Sequence, residues 1–182
     1  PGRIAAELMP PVETAVPTPV AAAPPQAAPA VVPPLRRFAR RFDAPEGVPL
    51  FAVVLIDRGG ALDRAALADL PFPVTFALDP MVPGAQDAAR IYRTGGQEVA
   101  ILATGLSEAP APEAVLARHE AILPEAVAVM DVEDRGFQGD PDFAARAVAA
   151  LEVQGRGLVT WNNGPNTADQ IARRDGLPAA RA

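Results

Sequence analysis

The residues that could do chemistry in this chain are polar side chains placed directly after apolar runs. In chain order they are Asp57, Asp79, Thr104, Asp131, Glu133, Asn162 and Asn163. In parallel β-α folds, ligands meet the loops that follow the strands, so these side chains would share one polar, mostly acidic mouth. Asp and Asn are also common after strands because they accept hydrogen bonds from turn and helix-start N–H groups, and this alternative stays open for each.

Asp57 is the strongest of these candidates. It follows the fully apolar run of residues 50–56 and precedes Arg58, with which we expect it to form an ion pair at the mouth. The only His, His119, falls in a helical stretch over residues 113–123. A helix in a β-α unit lies on the outer layer, so we expect a solvated side chain there and not a metal ligand. Cys is absent, which excludes disulfides, thiolate metal sites and cysteine nucleophiles.

The elements that would position the mouth are alternating strands and helices. We expect strands over residues 50–56, 72–78, 98–103, 126–130 and 158–161. Helices are expected over residues 63–70, from Pro83-Gly84 to Gly95-Gly96, 112–123, from Asp140 to Gly155, and 167–174. Five such units fit either a partial (β/α) barrel or an open doubly wound sheet.

The first part of the chain has a different composition. Of 22 Pro residues, 12 fall within residues 1–49, and residues 10–34 read as a mobile polyproline-II spacer. We therefore divide the chain into a disordered Pro/Ala-rich tether over residues 1–48 and one domain over residues 49–182. Residues 36–42, with four Arg and two Phe, could lie on an anionic membrane or bind an acidic partner. Because that is a small anchor, we favour a solvated linker.

Charge and hydropathy limit the possible partners. From residue 50 onward there are 18 acidic and 11 basic residues, which argues against nucleic-acid binding. No run of 18 apolar residues and no signal peptide is visible. The opening Pro1-Gly2 indicates a fragment, so membrane attachment is expected only through a missing N-terminal anchor.

Four motifs in order and at matching spacing resemble the divergent polysaccharide deacetylase family. Residues 54–60, VLIDRGG, resemble its I-D-D-x-G opening, and residues 70–77, LPFPVTFA, resemble its L-P-x-P-V-T-x-A strand. Residues 96–99, GQEV, stand at its G-H-E-V, and residues 155–158, GRGL, resemble the x-x-G-L before its fifth strand. The resemblance implies an α/β fold of parallel β-α repeats, a (β/α) barrel of the glycoside hydrolase/deacetylase type, here ending before it closes.

The resemblance also implies a metal-dependent hydrolase whose site is incomplete in this chain. The family uses a first Asp as base, and a second Asp and two His as metal ligands. Asp57 keeps the first position, whereas Arg58, Leu102 and Val132 stand at the other three. We therefore expect no metal and no other cofactor.

Three functions remain open. The first is a non-catalytic domain of the cell envelope or periplasm that binds glycan or peptidoglycan, with Trp161 and Phe137 as stacking faces and Asp79, Asp131, Glu133 and Asn162 around them. A Trp at a strand end can equally belong to the core. The second is an active deacetylase whose acids Asp57, Asp79, Asp131 and Glu133 hold Mg²⁺ or Ca²⁺ weakly. The third is a purely structural module or one that binds a protein partner, such as a protein of the cell envelope.

Overall fold

A computed structural model describes residues 32–43, 46–133 and 136–182 of the chain. The described strands are β1 Val54–Asp57, β2 Thr75–Leu78, β3 Glu98–Leu102, β4 Ala128–Met130, β5 Gly157–Thr160 and β6 Ala179–Arg181. The helices are α1 Pro34–Phe38, α2 Arg64–Ala68, α3 Ala85–Thr94, α4 Pro112–Ile122, α5 Pro141–Gln154 and α6 Thr167–Asp175. No helix in these segments is long and apolar enough to cross a membrane.

The strands form one parallel sheet in sequence order, from β1 to β6. The sheet curls into a half-barrel with the helices alternating between the strands, so the α/β fold of parallel β-α repeats is confirmed. β6 was not expected from the sequence, because its three residues carry no apolar alternation. It pairs with β5, so the two edge strands of the described sheet are β1 and β6.

Local signals fixed several helix ends as expected. The Asp140 side chain accepts a hydrogen bond from the Phe143 N–H at 3.0 Å, as an N-cap residue should. Gly155 ends α5 at a φ of 67°, a left-handed conformation that glycine adopts without steric cost. These ends set where each following strand begins, and hence where its last residue reaches the mouth.

The two faces of the sheet carry separate apolar clusters. The helix-facing cluster contains alternate strand residues such as Phe76, Leu78, Ile101 and Val129. The concave face carries smaller side chains from the intervening positions, among them Ala77, Ala100, Ala128 and Met130. This is the two-residue alternation of a strand buried on both faces.

Residues 32–43 pack against the domain, which corrects the expectation of a solvated linker over residues 36–42. Leu35 and Phe38 of α1 contact the concave cluster. The Leu35 N–H donates to the Gly155 carbonyl at 3.1 Å, and the Arg40 N–H donates to the Glu98 carboxylate at 2.6 Å. The segment therefore crosses the end of the sheet where the strands begin. The predicted spacer over residues 10–34 lies, apart from its last three residues, outside the described part of the chain.

Candidate functional site

Asp57 ends β1 with its carboxylate enclosed by three neighbouring groups. Arg64 of α2 donates to both oxygens, at 2.7 Å from Nε and 3.0 Å from Nη2. The Tyr92 hydroxyl of α3 donates at 2.9 Å, and the Gly59 N–H donates at 2.8 Å. The side chain is only 3 % exposed. Four donated hydrogen bonds leave the carboxylate oxygens little capacity for a further partner.

The expected ion pair between Asp57 and Arg58 is wrong. Arg58 is exposed, and the partner of Asp57 is Arg64, seven residues further along the chain. Adjacent residues at the end of an extended strand point to opposite faces, so Arg58 cannot follow Asp57 toward the helices. Arg64 reaches it because α2 folds back over the end of β1.

These contacts set the protonation of both acidic groups. Burial raises the pKa of Asp57, but the hydrogen bonds from Arg64, Gly59 and Tyr92 outweigh it, so the pKa lies below its ordinary value. Burial and the nearby Asp57 carboxylate together raise the pKa of the Tyr92 hydroxyl well above its ordinary range. The Tyr92 ring stacks on Phe76 with centroids 3.7 Å apart, which fixes its orientation. The site therefore holds a carboxylate and a neutral phenol.

The carboxylates of Asp79 and Asp131 both accept hydrogen bonds from backbone N–H groups of the loops that follow them. The Asp79 carboxylate accepts the Met81 N–H at 2.8 Å, which is a local turn contact. The Asp131 carboxylate accepts three backbone N–H groups, from Val132 at 2.8 Å, Gln138 at 2.9 Å and Phe137 at 3.1 Å. Burial raises the pKa of Asp131, and these three bonds oppose the rise. The turn-forming alternative thus describes both residues.

The loop around Asp131 leaves no room for a side chain at Gly136. A Cβ atom there would lie 2.5 Å from either carboxylate oxygen of Asp131. Glu133, in the same loop, is exposed. Phe137 is 1 % exposed and packs near Phe143, so it belongs to the core and offers no stacking face.

Trp161 and a set of amide side chains hold the two loops that follow β4 and β5 together. The side-chain oxygen of Gln138 accepts a hydrogen bond from the backbone N–H of Trp161 at 2.8 Å. Its side-chain nitrogen donates to the Asn163 backbone carbonyl at 2.8 Å. The indole N–H of Trp161 donates to the Asp131 carbonyl at 2.9 Å. The Trp161 ring is half-buried against the concave cluster, while Asn162 and Asn163 are exposed beside it. Trp161 thus packs partly against the core, as one alternative predicted, and its role as a stacking face stays a prediction.

The predicted acids do not converge on one point. Asp57 lies in register with Leu78, on the helix-facing side of the sheet, and Asp131 continues the alternation of the helix-facing Val129. Within residues 32–43, 46–133 and 136–182, no three His, Asp or Glu side chains are grouped closely enough to hold a metal ion. Asp57, Asp79, Asp131 and Glu133 are thus separate groups at the end of the sheet where the strands finish.

His119 is buried, which corrects the expectation of a solvated side chain. It is 1 % exposed on the inner face of α4, together with Val115 and Leu116. Neither ring nitrogen has a hydrogen-bonding partner among the described protein groups. Burial and Arg118 lower its pKa, whereas the carboxylate of Asp79 raises it, and the net direction is down. Outer helices bury one stripe of side chains, and His119 falls on that stripe.

Sequence reasoning missed Arg64, Tyr92 and Gln138, which organise the strand ends. Tyr92 lies 35 residues from Asp57 and Gln138 lies 23 residues from Trp161. No local motif marks such partners. One weak signal for Tyr92 was available: it lies on the buried stripe of α3, and a buried hydroxyl needs a hydrogen-bond acceptor nearby.

Comparison with known proteins gives a fold but no family. No family model and no curated protein matches this chain. The crystal structure of the uncharacterized protein ATU2773 from Agrobacterium tumefaciens C58 is similar, with a TM-score of 0.65 and 17 % identity. The match covers 83 % of this chain and 69 % of that one. At this identity the likeness supports the half-barrel fold alone.

Proposed function

We propose that this chain is a non-catalytic, deacetylase-like domain of the cell envelope, built on a (β/α) barrel scaffold and binding glycan at its mouth. The observation that carries the proposal is the occupied Asp57 carboxylate, at the position equivalent to the family's base. A general base must accept a proton from water beside the substrate. This carboxylate is ion-paired to Arg64, hydrogen-bonded to Tyr92 and turned toward the helices.

The residues at the family's ligand positions support the same proposal. Arg58 is exposed and cationic, Leu102 is buried and Val132 is half-buried, and none of the three side chains is a ligand for zinc. A hydrolytic zinc site needs about three protein ligands to acidify its bound water. The side chains of Arg58, Leu102 and Val132 do not supply these ligands.

The glycan part of the proposal is supported by Trp161, Asn162 and Asn163. The indole is held by its bond to the Asp131 carbonyl, and the exposed amides stand beside it. A fixed aromatic face next to hydrogen-bonding groups suits a ligand with apolar C–H faces and hydroxyls, such as a sugar ring. The Pro/Ala-rich sequence before the domain suits a spacer between an envelope attachment and this mouth.

Acetate release tests the loss of catalysis. The chain is incubated with acetylated chitooligosaccharide and with peptidoglycan, in the presence of Zn²⁺, Mg²⁺ or Ca²⁺, and metal binding is followed by calorimetry. We expect no tight Zn²⁺ binding and no acetate above the metal-only background. Metal-dependent acetate release that disappears in Asp57→Asn would show a remodelled enzyme instead.

Sedimentation with insoluble peptidoglycan tests the glycan mouth. We expect the wild-type chain to co-sediment and Asn162→Ala combined with Trp161→Phe to lose most of that binding. Gln170→Ala, an exposed amide on α6, is the matched control and should bind as the wild type does. Equal binding of all three proteins, or none by the wild type, would reject the glycan mouth.

A further inference from the structure

An apolar groove of about 940 Å³ lies at the end of the half-barrel where the strands begin, opposite the mouth. Its lining includes Phe42, Leu50, Phe51 and Phe72, which are 61 %, 56 %, 90 % and 45 % exposed. A contiguous patch of large exposed apolar side chains marks an interaction surface on a folded domain.

Four arginines lie on the segment that crosses this end of the sheet, and one of them, Arg40, lines the groove. Arg36, Arg37, Arg40 and Arg41 are all exposed, because Leu35 and Phe38 occupy the side of the segment that packs on the sheet. None of the four forms an ion pair with any residue that the structure describes. We call these four Arg together with Phe42, Leu50, Phe51 and Phe72 the lower rim.

The charge of the lower rim is opposite to that of the rest of the domain. Residues 32–51 contain four Arg against Asp43 and Glu46, whereas from residue 50 onward acids outnumber bases by 18 to 11. Asp43 and Glu46 are exposed in the same stretch and reduce its charge. The carboxylate of Glu98, which also lines the groove, is already engaged by the Arg40 N–H and the Thr75 hydroxyl. The segment over residues 32–51 therefore carries more positive than negative charge, and it lies at the same end of the sheet as the groove.

We propose that the lower rim docks this domain onto the surface of an anionic phospholipid bilayer. Aromatic and aliphatic side chains would enter the boundary between headgroups and acyl chains, and the guanidinium groups would bind lipid phosphates. A second copy fits less well, since rim-to-rim contact would set four Arg against four Arg. The acidic side chains of a peptide would pair with the Arg side chains but would leave the exposed Phe side chains in water.

The proposal goes beyond the glycan mouth and is independent of it. Asn162 and Trp161 follow β5, at the opposite end of the strands from the lower rim. A domain docked by its lower rim would hold the mouth away from the bilayer. The sequence alone offered Phe38 and Phe42 for such an anchor. The fold packs Phe38 on the concave cluster and places Leu50, Phe51 and Phe72 with Phe42 around the groove.

Vesicle sedimentation with the full chain tests the docking. Vesicles of phosphatidylcholine alone are compared with vesicles containing 30 % phosphatidylglycerol, at about 0.1 M and about 0.5 M salt, since screening lengths fall from ~10 Å to a few Å over this range. We expect binding only to the anionic vesicles, weakened at high salt. Each Arg near an anionic surface contributes roughly a fivefold gain in partitioning, so Arg40→Glu with Arg41→Glu should reduce binding more than tenfold.

Matched variants at the two ends of the sheet test which end contacts the bilayer. Phe42→Ser with Phe51→Ser should abolish binding, whereas Arg58→Glu and Met81→Ser, exposed at the mouth end, should leave it unchanged. Circular dichroism confirms that each variant is folded. Brominated lipid should quench a Trp placed by Phe51→Trp and should leave Trp161 of the wild type unquenched. Absence of binding to anionic vesicles, equal loss in the mouth-end variants, or a dimer broken by Phe51→Ser without vesicle binding would overturn the proposal.

Discussion

The buried carboxylate of Asp57 accepts hydrogen bonds from three residues, Arg64, Tyr92 and Gly59, so its replacement should cost stability. In Asp57→Asn the charge partner of Arg64 is lost, and one of the two acceptor oxygens becomes an amide that cannot accept. We expect the free energy of unfolding to fall by about 2–3 kcal/mol, less than for a fully buried pair because Arg64 is 22 % exposed. Chemical denaturation at pH 7 measures it.

Asp87→Asn is the matched control for this change, because Asp87 pairs with Arg90 on the exposed surface of α3. It should alter the free energy of unfolding by less than about 0.5 kcal/mol. The pKa of Asp57 is below its ordinary value of 3.8 in the folded state, so its contribution is complete above that pH and disappears as the pH falls through the folded value. A difference between wild type and Asp57→Asn that is as large at pH 3 as at pH 7 would contradict this account.

His119 should weaken the fold rather than support it. A buried imidazole without a hydrogen-bonding partner costs desolvation free energy, so His119→Leu should stabilise the domain by about 1 kcal/mol at pH 7. Thermal and denaturant unfolding measure the change. A loss of stability would indicate that the ring nitrogens are satisfied in solution.

The same residue predicts a pH dependence. The pKa of His119 is below 6.5 in the folded chain, so the unfolded chain binds a proton first as the pH falls. Wild-type stability should therefore decrease below about pH 6.5, by at most ~1.4 kcal/mol per pH unit. In His119→Leu this decrease should vanish between pH 7 and pH 5.5.

Among the elements, the segment that carries α1 is the least anticipated and the easiest to test. Phe38 packs on the concave cluster, its carbonyl accepts from Arg93 at 2.9 Å, and the Arg93 guanidinium lies 5.5 Å from its ring centroid. Phe38→Ala should lower the free energy of unfolding by about 2 kcal/mol, which is less than the loss for a fully buried Phe because Phe38 is only partly buried. Phe42→Ala, four residues on and exposed, should change it by less than about 0.5 kcal/mol. Equal effects of the two variants would restore the linker interpretation.

The whole described domain should unfold as one unit. The helix-facing cluster runs without interruption from Ala68 beside β2 to Leu177 before β6. Loss of packing at one end should therefore propagate to the other. Helical circular dichroism and the fluorescence of Trp161, the only Trp in the chain, should report the same midpoint. Two separate transitions would show that the strands at the two edges unfold independently.

The sequence alone determined what depends on neighbouring residues. Apolar runs alternating with helical stretches gave the β-α order, Asp140 and Gly155 marked both ends of α5, and the strand-end positions of Asp57, Asp79 and Asp131 followed from the same pattern. These features have local causes, namely strand and helix periodicity, capping and the conformational freedom of glycine.

Only the tertiary structure decided which groups those residues meet. The partner of Asp57 depends on how α2 and α3 lie over β1, and the burial of His119 depends on which stripe of α4 faces the sheet. The packing of residues 32–43 and the pairing of β6 likewise rest on contacts with strands distant in the chain. Such contacts form because the curled sheet brings strand ends and loops together, and that curvature arises from all six strands at once, which no local pattern records.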